Sequence, residues 1–184
     1  MRIDPTTHCI VGAEYIESPN HDERPRDSDI DLIVVHNISL PPNQFGGEYV
    51  KDFFLNKLDT QAHPYFKEIG NIKVSSHLFI ERSGKLIQFV PFDKRAWHAG
   101  ESCFQNRRRC NDFSIGIELE GADKIQYTDA QYRVLRTTIL CLQMKYPGLS
   151  SNQIVGHSDI APGRKTDPGD AFDWNRVNIS FDGH

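Results

Sequence analysis

No uninterrupted run of apolar residues in this chain exceeds four, and the runs that reach four are Leu32 to Val35 and Ile139 to Leu142. A membrane-crossing helix needs about 20 in succession, so no membrane span is expected. Each run must instead be buried as a short strand or as one face of a helix. The 184 residues, 38% hydrophobic and 25% charged, suit a single domain spanning 1–184 with one substantial core. Lys plus Arg number 21 against 25 Asp plus Glu, a net charge of −4. That balance argues against a nucleic-acid partner bound through a basic surface. No apolar stretch of signal-peptide length follows Met1-Arg2-Ile3-Asp4-Pro5, and the expected location is the cytoplasm.

The order of local signals sets the fold class. Residues 1–29 are polar and interrupted by proline, which predicts an irregular N-terminal arm. Ile30 to Val35 is a β-branched run read as a buried strand ending at His36, since Pro41-Pro42 cannot continue a ladder. From Glu48, Val50, Phe53, Phe54 and Leu58 predict a helix of about ten residues. Val74 to Ile80 and Lys85 to Val90 read as two strands joined at Arg82-Ser83-Gly84. Phe113 to Gly121 alternates with period two, Ile115, Ile117 and Leu119 on one face and Ser114, Gly116, Glu118 and Glu120 on the other. Thr128-Asp129-Ala130-Gln131 is a capping box opening a helix with the stripe Tyr132, Leu135, Ile139, Leu142, ended by Pro147-Gly148. Gln153 to His157 is one more short strand, and a Pro/Gly-rich loop follows over 158–169. Interleaved strands and helices predict an α+β (mixed α/β) fold, a central mixed β-sheet flanked by helices.

Eight histidines are more than a core needs, and two stand at strand ends: His36 and His157. Asp167, ten residues past His157, lies in the rigid turn Lys165-Thr166-Asp167-Pro168-Gly169. Two His and one Asp make a three-ligand site with an open position, the pattern of catalytic Zn2+. The pattern leaves a rival, because His157-Ser158-Asp159 opens a two-His-one-carboxylate site for non-haem iron. Its second histidine would have to be His184. Glu118 is a candidate general base beside Gly116, which leaves room for a ligand, and Glu120 shares its face. Lys165 can present an ammonium to a developing oxyanion. His77 is a candidate alternate ligand or a structural histidine. Trp97 and His98 line a cleft or belong to the core, and Arg107-Arg108-Arg109 is a solvated run or a carboxylate clamp. Cys9, Cys103, Cys110 and Cys141 contain no C-x-x-C pair, so a thiolate metal site is not expected.

Together these segments resemble the zinc-dependent N-acetylmuramoyl-L-alanine amidases related to peptidoglycan-recognition proteins. The stretches that carry the resemblance are Leu32 to Asn37, Ser75-Ser76-His77, Ala96 to Gly100, Ser114 to Glu118 and Val155-Gly156-His157. Longer runs, Pro91 to Gly100, Arg109 to Gly121 and Arg164 to Gly169 among them, are similar to the branch of that family specific for 1,6-anhydro-muropeptides. The resemblance implies a peptidoglycan-recognition-protein-like fold with Zn2+ held by His36, His157 and Asp167. It implies that Glu118 and Lys165 are catalytic, choosing Glu118 over Glu120 and Asp167 over Asp159. It also implies that Arg109 meets the diaminopimelate carboxylate of the stem peptide and that Asn37 and Trp97 line the muropeptide cleft. The activity implied is hydrolysis of the amide between 1,6-anhydro-N-acetylmuramic acid and L-alanine during cell-wall recycling, with no obligate protein partner. The alternative is a non-catalytic peptidoglycan-binding module on the same fold.

Overall fold

The computed structural model describes residues 1–177. Within them the strands are β1 (Glu14–Tyr15), β2 (His21–Glu23), β3 (Leu32–Ile38), β4 (Leu78–Ile80), β5 (Leu86–Gln88), β6 (Lys94–Ala96), β7 (Cys103–Phe104), β8 (Arg107–Arg108), β9 (Ser114–Glu120) and β10 (Ile154–Gly156). The helices are α1 (Tyr49–Phe54), α2 (Pro64–Ile69), α3 (Asp129–Lys145) and α4 (His157–Ile160). Six strands form the main sheet in the order β1-β5-β4-β9-β3-β10. Only β4 and β5 pair antiparallel; every other neighbour in that sheet is parallel. This is the expected mixed sheet with helices on it.

The centre of the sheet falls where the sequence is most apolar. Leu32 to Val35 are completely buried, and all seven residues of β9 are buried as well. Parallel strands covered on both faces bury even the polar side of their alternation. On one face, Ile33, Val35, Ile115, Ile117 and Leu119 pack against Tyr132, Leu135, Ile139 and Leu142 of α3. The capping box forms as predicted: Gln131 N–H donates to Thr128 Oγ1 (3.1 Å), and Thr128 N–H donates to Gln131 Oε1 (3.1 Å). The opposite face is covered in two patches. Phe53, Phe54 and Phe66 from α1 and α2 pack on Phe79 and Ile87, and Leu32 and Val34 meet Ala99, Cys110, Phe113 and Ile160.

Several elements are shorter than their patterns. The helix predicted from Glu48 ends at Phe54, because Asn56 turns left-handed (φ 59°) and closes it. Pro64 then starts α2, whose six residues are too few to show a period. The strands expected over Val74 to Ile80 and Lys85 to Val90 shrink to three residues each. Outside those triplets the backbone is still bonded, but to loops: Ser75 N–H donates to the Trp97 carbonyl.

The 1–29 arm carries more order than its composition suggests. β1 adds to the edge of the sheet beside β5, and β2 pairs with β6. Arg24, one residue after β2, reaches inward. Its guanidinium donates to the carbonyls of Phe92 (3.1 Å), Asn111 (3.1 Å), Asp112 (3.0 Å) and Ser114 (2.8 Å). Burial lowers its pKa to about 10, so it remains a cation at neutral pH. Arg24→Ala strips four carbonyls of a charged donor, and the expected loss of stability is about 3 kcal/mol, measured by denaturant unfolding. A change within about 0.5 kcal/mol, the usual range for surface substitutions, would show that the arm does not hold the sheet.

Candidate metal centre and active-site cavity

Register places the first two chemical groups. In the parallel pairing of β3 with β9, His36 lies opposite Glu118, and both point away from α3. β3 runs two residues past His36, to Ile38, further than the sequence reading ended it. On its other side β3 pairs with β10, Gly156 opposite Val35. The next residue, His157, therefore arrives beside His36. It opens the short helix α4, where an irregular loop was expected. Asp159 supplies that turn's start, its Oδ2 accepting from Gly156 N–H at 2.7 Å.

Asp167 is returned to the same place by a pinned loop. Ser158 N–H donates to the Asp167 carbonyl (3.0 Å), and the Pro168 carbonyl accepts from Asn37 Nδ2 (3.0 Å) and the Tyr127 hydroxyl (2.7 Å). Gly169 is required here. Its φ is +81°, and a Cβ would lie 2.2 Å from Asp123 Cα.

Three donor atoms converge. His36 Nδ1 is 3.0 Å from His157 Nδ1, and each is 3.1 Å from Asp167 Oδ2. Two ligands about 2.0–2.1 Å from a common tetrahedral centre lie about 3.3 Å apart, so the spacing and the N,N,O donor set fit a metal ion. Both rings are tethered from behind. His157 Nε2 donates to the Ala99 carbonyl (3.1 Å), and His36 Nε2 is 2.9 Å from His98 Nδ1. Among the described residues, this His-His-Asp group is the one whose donor atoms can share an ion. Asp159 is outside it, its carboxylate occupied by Gly156. His184, which the iron reading needed, lies outside the described residues.

Burial tunes these groups. Desolvation pushes His36 down to about 4, with Asp167 opposing. Burial alone would raise the Asp167 carboxyl, yet the His157 and His36 rings outweigh it and hold it well below the usual carboxylate range. Glu118 moves the other way: burial, then the nearby Asp167 charge, push its carboxyl well above the ordinary value, with Lys165 opposing.

Glu118 and Glu120 are both buried, but their partners differ. Glu120 Oε1 accepts from Gly46 N–H and Oε2 from Arg82 N–H (2.9 Å). Glu118 Oε2 is buried with no hydrogen-bond partner, and the residue lines a cavity of about 360 Å³. His36, His98, His157, Lys165 and Asp167 share that cavity with it, opposite an apolar wall that includes Leu40, Phe53, Phe54, Tyr65 and Ile69.

The remaining candidates are spread around this centre. Asn37 lines the cavity, while its amide nitrogen is spent on Asp123 Oδ1 (2.9 Å) and Pro168. Lys165 is exposed at the rim. Trp97 is half-buried, its backbone fixed by Asn20 and Ser75, and it does not wall the cavity. Arg109 is exposed, with Nε 3.3 Å from Asp112. It lines a neighbouring cleft with Arg108 and Arg164, outside the metal cavity. His77 is structural: Gly116 N–H donates to its Nδ1 (3.0 Å), and its Nε2 donates to the Lys94 carbonyl (3.0 Å). Gly116 makes room for His98 where room for a ligand was expected, since a Cβ there would sit 2.4 Å from His98 Cγ.

Comparison with known proteins bears on the family and the fold. The family model for N-acetylmuramoyl-L-alanine amidase matches residues 26–170. The 1,6-anhydro-N-acetylmuramyl-L-alanine amidase AmpD of Escherichia coli K12 is 55% identical over 170 residues, 92% of each chain. A crystal structure of a selenomethionine derivative of AmpD superposes with a TM-score of 0.92 at 51% identity, covering 96% of this chain and 97% of that one. The E. coli amidase AmiD, in complex with anhydro-N-acetylmuramic acid-L-Ala-D-γ-Glu-L-Lys, superposes with a TM-score of 0.59 at 26% identity, covering 84% of this chain and 59% of that one.

Proposed function

The chain belongs to the N-acetylmuramoyl-L-alanine amidase family, and from that membership we propose that it is a single-domain, zinc-dependent enzyme of the cytoplasm. Its reaction is hydrolysis of the amide between 1,6-anhydro-N-acetylmuramic acid and L-alanine in muropeptides, a step of cell-wall recycling that lowers the muropeptide signal inducing β-lactamase. Among the described residues no helix is long and apolar enough to cross a membrane. The observation that carries the reading is the unpartnered Glu118 carboxylate, buried beside three converging ligand atoms. A module that only binds peptidoglycan needs no such group, because an unpaired buried carboxylate costs stability without adding affinity.

His36, His157 and Asp167 would hold the Zn2+. When bound, the ion supplies Lewis acidity, polarising a carbonyl and bringing the pKa of water down from about 15.7 toward about 7. The Glu118 carboxylate takes the proton from the attacking water and passes it to the departing L-alanine amine. Burial lifts the affinity of Glu118 for that proton, which suits a group that must hold it for the length of one turnover. Lys165 at the rim offers an ammonium to the oxyanion that develops on the lactyl carbonyl. The apolar wall of Leu40, Phe53 and Phe54 gives the anhydro-sugar a dry surface, and Asn37 lines the same cavity. Arg109, which lines another cleft, would meet a carboxylate further along the stem peptide, that of diaminopimelate.

The experiment is incubation with anhydro-muropeptide, with and without a chelator, read by mass spectrometry. The expected products are anhydro-N-acetylmuramic acid and the free stem peptide, lost on chelation and regained when Zn2+ is added. Full activity in protein shown metal-free by elemental analysis would overturn the mechanism.

A further inference from the structure

We infer that His98 and Ser114 are positioning residues that set the tautomer of His36, holding its Nδ1 lone pair toward the metal position. The inference rests on the metal reading above and concerns residues that take no direct part in binding the ion.

The argument is a count of protons along one buried chain. His36 Nε2 is 2.9 Å from His98 Nδ1, His98 Nε2 is 3.1 Å from Ser114 Oγ, and Ser114 Oγ is 2.5 Å from the Cys110 carbonyl oxygen. A carbonyl only accepts, so the single hydroxyl proton of Ser114 is committed to Cys110. Ser114 Oγ then has only lone pairs to offer, and His98 Nε2 must be the donor. A neutral imidazole carries one N–H, so His98 Nδ1 is an acceptor. The one group in reach that can satisfy it is His36 Nε2–H. With that proton fixed on Nε2, His36 Nδ1 is left unprotonated, facing His157 Nδ1 and Asp167 Oδ2. Each link follows from the one before, and the chain starts at a backbone atom that has no second option.

The surroundings hold the chain in place. His98 and Ser114 are both buried, and the two ring nitrogens of His98 lie against His36 and Ser114. Asn111 Oδ1 accepts from the backbone N–H of His98 (3.1 Å) and of Ala99 (2.8 Å), fixing the segment that carries the ring. Gly116 lets the ring lie flat against β9. The same segment supplies the Ala99 carbonyl that holds His157 Nε2. One loop therefore orients both ligand histidines, by a side chain for one and by a carbonyl for the other.

The test measures zinc affinity by competition with a chromophoric chelator, alongside the melting temperature of the metal-free protein. His98→Leu removes the acceptor and should weaken zinc binding about 10–100-fold. His98→Asn, whose carboxamide oxygen can accept from His36 Nε2–H, should recover most of that loss. A merely structural role would lower the metal-free melting temperature of both variants and leave affinity unchanged. Should His98→Leu not fold, Ser114→Ala keeps the ring and should give a smaller fall in the same direction. An independent readout is the long-range ¹H–¹⁵N spectrum of metal-free wild-type protein, in which His98 should carry its proton on Nε2. Wild-type affinity in a folded His98→Leu, or a His98 proton on Nδ1, would overturn the inference. If the wild-type protein bound no zinc, the metal reading would fail, while the His98 tautomer would still decide the relay.

Discussion

Replacing Glu118 with Gln is expected to lower kcat by about 10²–10⁴, the usual contribution of a positioned general base, while zinc content stays stoichiometric. The substitution keeps size and shape and removes only the ability to take a proton. Because Glu118 belongs to no ligand group and its Oε2 has no partner, neither metal nor fold depends on its charge. KM should change little, which makes the loss a loss of chemistry. Stability supplies a second reading. The folded-state pKa of Glu118 lies above its unfolded value, so the native state holds the proton more tightly. Stability then falls as pH rises from the ordinary carboxylate range toward the raised folded value. A neutral Gln escapes that cost, and metal-free Glu118→Gln should melt at or above the wild-type temperature at pH 7. Near-normal turnover in the zinc-loaded variant would remove Glu118 from the mechanism.

The second large effect separates two aspartates. Asp167→Ala takes away the only charged ligand of the three, so zinc affinity should fall far beyond the about 10–100-fold typical of outer contacts, and activity should go with it. The variant should also lose the stabilisation that zinc gives the native state, about 2.7 kcal/mol when the free ion stands at 100 times its Kd. Asp159→Ala should keep its zinc. Its carboxylate serves the Gly156 N–H at the start of α4, and losing such a cap costs about 1 kcal/mol. Metal analysis of the two purified variants decides it: zinc lost from Asp159→Ala alone would return the site to the H-x-D reading.

Much of this architecture was legible because the informative segments are long enough to show a period. β9 alternates over seven residues, and α3 declares its start by Thr128 and Gln131 and its face by Tyr132, Leu135, Ile139 and Leu142. Where an element is two or three residues long, as in β1 and β2, pairing is decided by partners more than 70 residues away in sequence, and no local pattern records it. Arg24 reads as one more charge in a polar arm until its four carbonyl partners are seen. At the site, His36 and His157 were readable as strand-end histidines, but the pattern left Asp167 tied with Asp159 and Glu118 tied with Glu120, and the family resemblance chose between them. The physical reason for preferring Glu118 is seen in three dimensions, where Glu120 is consumed by Gly46 and Arg82. His98 left one trace in the sequence, the glycine at 116, and that trace is ambiguous: a missing Cβ shows that something approaches, without saying whether it is a ligand or a ring.

The pairing of His36 with Glu118 across β3 and β9 has a consequence for how this chain can err. Side chains alternate with a period of two, so a slip of one residue between these strands would turn one of the two toward α3 and leave the other behind. Turning His36 away would cost the metal and turning Glu118 away would cost the base, and turnover fails in either case. The specific activity of a refolded sample thereby counts the fraction of molecules whose central strands found their correct alignment, a census that spectroscopic measures of sheet content cannot make. The same geometry makes a single-residue insertion in either strand more damaging than the loss of a whole surface loop.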